Sequence, residues 1–187
     1  MARRHVALVA SSQLVFVGML VVATALDPAV ATHRDEGGVS NFGVHAATVV
    51  PYALGFAGAA VLLWLAAAAL APSSRGLAVG LRWLAAALVA VLGSTFAYQH
   101  GPALHGLHVA VATAASVYET AFGIWLAACV ARDALGLAAC AVQVAAAAVA
   151  LGALLSLEHR LFAAQLVGAA AFAVLVVHAT ARATREG

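Results

Sequence analysis

Glu119 is an acid inside an apolar run, and two imidazoles, His105 and His108, precede it at spacings that bring all three to one side of a helix. At 100° per residue, His105, His108, Ala112, Ala115 and Glu119 form a narrow stripe, with Ser116 on its edge. An ionised carboxylate at mid-membrane costs at least several kcal/mol, so this group must be protonated, paired or wetted. Only small side chains separate the imidazoles from the acid, which leaves room for a water-filled or ligand-filled groove open to the outside. Glu119 is the floor of that expected cavity and His105, His108 and His45 are its mouth. Gln13, Gln143 and Tyr52 are the polar side chains expected within reach of the carboxyl.

Imidazole is spread unevenly. His33, His45, His100, His105, His108 and His159 fall at one set of helix ends with Asp27, Asp35, Glu36 and Glu158, whereas His5 and His178 fall at the other. Neutral imidazole beside carboxylate suits a borderline divalent cation, so the candidate metal ligands are His45, His105, His108, Asp35 and Glu36. The spacing selects no particular metal: His105-Gly106-Leu107-His108 lacks the glutamate and the i, i+4 pair of a zinc-protease helix. No cofactor is expected on this pattern, and zinc or haem is the alternative that an enzyme would need. Other catalytic constellations are missing, since the chain has no phosphate-gripping glycine loop, no Gly-x-Ser-x-Gly elbow and no Cys-x-x-Cys. Cys129 and Cys140 read as small apolar fillers, and the Ser116 hydroxyl is expected to bond its own helix.

The elements that must position these groups are long and apolar. With 65% hydrophobic and 9% charged residues and a mean hydropathy of +1.04, a water-soluble globule of 187 residues could not cover its surface. Six apolar runs, at residues 6–26, 48–71, 77–98, 107–130, 134–157 and 161–181, each approach the ~20 residues that a helix needs to cross a ~30 Å hydrocarbon core. Alanine and leucine dominate them, and the short alternating segments of a membrane barrel are absent. The fold class is therefore all-α, a polytopic bundle of six transmembrane helices forming a single domain over residues 1–187. Arg3 and Arg4 ahead of an apolar stretch that ends in Ala23-Thr24-Ala25 have the outline of a signal peptide, but the stretch exceeds a signal core of ~7–15 residues, so a retained first helix is expected.

Arginine sets the orientation. Arg3, Arg4, Arg75, Arg82, Arg132, Arg182 and Arg185 lie at one set of ends and only Arg34 and Arg160 at the other, which by the positive-inside rule puts both termini in the cytoplasm of a cell inner (plasma) membrane. A net charge of +2 gives no argument for nucleic acid. The expected partners are membrane lipid and a second copy of the chain through small-residue helix faces, and Gly76 and Gly80, Gly55 and Gly58, and Gly168 offer smooth faces for close approach of helices. The joint from Asp27 to Val44 is the longest and should form turns outside the membrane, while Pro51, near the start of the second run, sits where a missing N–H costs least.

The residues Ser40-Asn41-Phe42-Gly43, then Gly55-Phe56, then Gly101 and His105-Gly106-Leu107-His108 resemble a bacterial six-helix integral membrane family of unknown function. The layout is distantly similar to the eukaryotic DRAM and Sfk-type proteins, a resemblance that implies fold and topology and an association with lipid homeostasis. Three functions compete at this stage. The first is binding of a lipid or small ligand in the outward cavity, the second a proton-coupled transporter module using Glu119, and the third a membrane enzyme with a metal or haem on the outer histidines.

Overall fold

The computed structural model describes residues 2–29, 38–71, 74–156 and 161–185. Its long elements are six helices, α1 Ala2–Leu26, α2 Val49–Leu70, α3 Arg75–Ala97, α4 Pro102–Cys129, α5 Ala134–Ser156 and α6 Leu161–Ala183. Two short 3-10 helices, Val39–Gly43 and Tyr98–His100, lie in the joints, and no strand occurs among the described residues. All six long helices are long and apolar enough to cross a membrane, so the chain is a multi-pass membrane protein.

Why these segments are helices follows from their content: runs of alanine and leucine lose little side-chain entropy in a helix and satisfy every backbone group internally. Where they stop is set locally. Between α3 and α4, Gly101 takes φ 130°, a conformation that side chains avoid, and Pro102 follows as the first helical residue. That start lies five residues ahead of the expected one at 107, because the proline begins the helix that hydropathy alone does not reveal. His105 and His108 thus belong to the first turns of α4. At 28 residues α4 extends for about 42 Å, more than the hydrocarbon core, so it tilts or projects beyond it.

Each helix packs on its neighbours in sequence, the ring closes through α1 against α6, and α4 also touches α6. The interior falls into two clusters. One gathers Val9, Leu63, Leu70, Leu77, Leu81, Leu126, Leu175 and Val176 toward the arginine-rich end. The other gathers Leu20, Phe42, Tyr52, Phe56 and Val91 toward the opposite end, with Phe16, Leu88 and Ala115 against it.

Glycine determines how closely the helices approach. A methyl group at Gly80 would run into the Phe122 ring, and at Gly76 it would meet Trp125 at 3.2 Å. Gly55 and Gly58 accept Met19 and Val15 of α1 in the same way, and Gly168 faces Ala146. The small-residue faces read from the sequence as places of close backbone approach thus take part in helix contacts within the chain. Gly18, Gly93, Gly106 and Gly152 open onto empty space.

The joint before α2 does more than turn. Its second half, Val39–Gly43, buries Asn41, Phe42 and Gly43. Val39 N–H donates to Gln165 Oε1 of α6 at 2.9 Å, and Phe42 meets Phe162 edge-on at 5.6 Å. This segment caps the end of the bundle opposite the arginines.

Candidate functional site

Glu119 lies where the two clusters meet. With Gln13 and Phe16 of α1, Ala59 and Leu63 of α2, Leu84 and Leu88 of α3, and Ala169 and Phe172 of α6, it lines a cavity of about 20 Å³. That is room for a single water molecule. Five of the six helices contribute to its wall. Apart from the amide of Gln13, the other lining side chains are apolar, and the Glu119 carboxyl takes part in no hydrogen bond or ion pair among the described residues. Gln13 is itself held by Nε2 donating to Ser12 Oγ at 3.1 Å, while Ser12 donates to Val9 O at 2.7 Å.

The expected partners of the acid are distributed differently. Gln143 of α5 is buried and does reach Glu119, but its Nε2 donates to the backbone carbonyl at 3.2 Å instead of the carboxyl. Gly123 makes space for that amide, and Gln143 Oε1 is buried with no hydrogen-bond partner among the described residues. Tyr52 is elsewhere: its phenol bonds Thr95 Oγ1 at 3.0 Å inside the second cluster, and its ring lies tilted against Phe56 with centroids 4.5 Å apart. Phe56 in turn meets Phe16 edge-on at 5.0 Å. An aromatic series of Phe42, Tyr52, Phe56 and Phe16 thus fills the end of the bundle beyond Glu119.

His105 and His108 meet at Tyr98, while His45 is bonded elsewhere. His108 is buried, with Nδ1 3.0 Å from Ser94 Oγ. Ser94 spends its hydrogen on Val91 O at 2.9 Å, so His108 Nδ1 is the donor between them. His105 is exposed and lies against Tyr98, 4.8 Å between ring centroids, and His108 meets the same ring edge-on at 5.4 Å. His45 is half-buried, with Nδ1 bonded to Asn41 O at 2.8 Å. No three of His, Cys, Asp and Glu converge as a metal site among the described residues. Asp35 and Glu36, the carboxylates proposed to join the histidines, lie outside the described residues, as do His33, Glu158 and His159.

One cluster was not singled out from the sequence. Asp133, in the joint between α4 and α5, accepts Gly136 N–H at 3.0 Å as the cap of α5. The same carboxyl receives His178 Nε2 at 2.8 Å and Arg182 Nη1 at 2.5 Å, both from the last turns of α6. The Gly136 N–H, then His178 and Arg182, hold the Asp133 carboxyl well below the usual carboxylate range. The signal was present as an acid three residues ahead of a helix interior and two basic residues at i, i+4 near the end of the last helix.

No family model, curated protein or solved structure matches the chain. The resemblance drawn from Ser40–Gly43, Gly55, Phe56, Gly101 and His105–His108 rests on those residues alone.

Proposed function

We propose that Glu119 is a proton-binding site at the centre of a proton-coupled membrane module. The observation that carries this reading is a carboxyl without a basic or hydrogen-bonding partner among the described residues, opening on a space of about 20 Å³ beside Gln13. A carboxyl so placed is held as the neutral acid, and it changes charge only when a proton moves to or from water in that space. Small-molecule sites occupy ~300–1,000 Å³, so the alternative of a lipid or small ligand seated on Glu119 requires Phe16 and its aromatic neighbours to part. The membrane is the inner (plasma) membrane and both termini are cytoplasmic, on the strength of the arginine asymmetry. An enzyme using zinc or haem draws no support from the separate bonding of His45, His105 and His108.

Infrared titration of the protein in lipid nanodiscs tests the proposal. A protonated-carboxyl band that responds to pH is expected, lost in Glu119→Gln and retained at a shifted frequency in Glu119→Asp. A band that survives Glu119→Gln, or no such band in the wild type, removes the proton site. Lipid extracted with the wild type but not with Glu119→Gln would favour the ligand reading instead.

A further inference from the structure

A second cavity opens at the other end of the molecule, about 330 Å³ in volume and lined by Asp133, His178, Arg182 and Arg185. We infer that this cleft, between the α4–α5 joint and the end of α6, binds a phosphate-bearing anion. It is independent of the Glu119 site in both residues and position.

Charge and arrangement support this together. Two guanidiniums, Arg182 and Arg185, face one carboxylate, Asp133, which leaves one positive charge over even with His178 neutral. Asp133 is already engaged by Gly136, His178 and Arg182, so its charge is not available to Arg185 as well. Arg185 is exposed and its guanidinium has no hydrogen bond or ion pair among the described residues. Asp133 meanwhile fixes the position of Arg182, so that ordering of this side chain is complete before a ligand arrives. A guanidinium presents its N–H donors in a planar fork, and the fork of Arg185 matches the oxygens of a phosphate.

The place of the cleft names the sources. It sits at the ends of transmembrane helices, the level at which lipid phosphates lie, and the same chemistry would accept soluble phosphate. Its volume is more than ten times that of the space at Glu119 and matches a headgroup better than a lone water.

Binding to purified protein in phosphatidylcholine nanodiscs decides it, read by thermal midpoint and by native mass spectrometry. Phosphatidylglycerol added to the discs is the lipid probe, and inorganic phosphate added to discs without it is the soluble probe. At least one of the two should raise the wild-type midpoint, and whichever does so identifies the source. Arg185→Gln should weaken that binding roughly threefold to tenfold, the effect of one partly solvated charge-assisted contact. Arg185→Lys, which keeps the charge and loses the fork, should fall between and also serves if Arg185→Gln is poorly folded. The inference is overturned if neither probe stabilises the wild type, or if both variants bind as tightly as it does.

Discussion

The phenol of Tyr52 and the hydroxyl of Thr95 join α2 to α3 in a setting where both side chains are fully buried. Thr95 also donates to Val91 O at 2.8 Å, so the phenol is the donor between them. Removing it in Tyr52→Phe leaves Thr95 Oγ1 without that donor and should cost about 1 kcal/mol of stability, measured by unfolding in detergent or bicelles. Asp133 allows a pH test. Its folded carboxyl titrates below the unfolded one, so the carboxylate stabilises the fold above an unfolded pKa of ~3.9 and loses that contribution as the pH falls further. Asp133→Asn keeps a capping side chain for α5 but not the charge. The wild type should melt above Asp133→Asn at neutral pH, and the gap should narrow below about pH 4. An equal gap at pH 7 and pH 3 would remove the carboxylate from that role. Neither Thr95 nor Asp133 was legible as a partner from the sequence, because a hydrogen bond between residues 43 or 45 positions apart leaves no local pattern.

At the scale of elements, close approach of α3 to α4 depends on Gly80, where a side chain would occupy the space of the Phe122 ring. Phe122 is itself packed between Tyr118, Trp125 and Phe172, which limits where it can go. Gly80→Val should therefore destabilise by about 1–3 kcal/mol, whereas Gly93→Ala, with open space at that position, should be neutral. Equal melting of the two variants would show that the interface yields freely. The helices were the most legible part of the molecule, since a long apolar run in this composition has almost no alternative to a membrane helix. Their ends were less so where a backbone feature decides them, as Gly101 and Pro102 do for α4. The residues of the stripe ending at Glu119 all lie on α4, but whether a face opens on a groove depends on the opposing helices. Phe16, Leu63, Leu84 and Phe172, which reduce the space at Glu119 to the size of a water, come from four other elements. Periodicity within α4 carries no information about them.

For the whole molecule, the ring of six helices separates two chemically distinct ends. At one, Val39–Gly43 is tucked in and tied to α6 through Gln165, with aromatic rings beneath it. At the other, Asp133, His178, Arg182 and Arg185 surround an open cleft. Glu119 lies between them at the junction of the clusters. Six crossings put both chain ends on the arginine side, the side that the proposed orientation makes cytoplasmic. Cysteine labelling checks this directly. In a background of Cys129→Ala and Cys140→Ala, Ala46→Cys, exposed beside the aromatic end, should react with a membrane-impermeant maleimide in right-side-out vesicles. Arg185→Cys, exposed at the other end, should react only in inverted vesicles or after permeabilisation. Reaction of both cysteines in the same vesicles would break the six-crossing topology, and the reversed pattern would place the arginine cleft outside the cell and turn the molecule over.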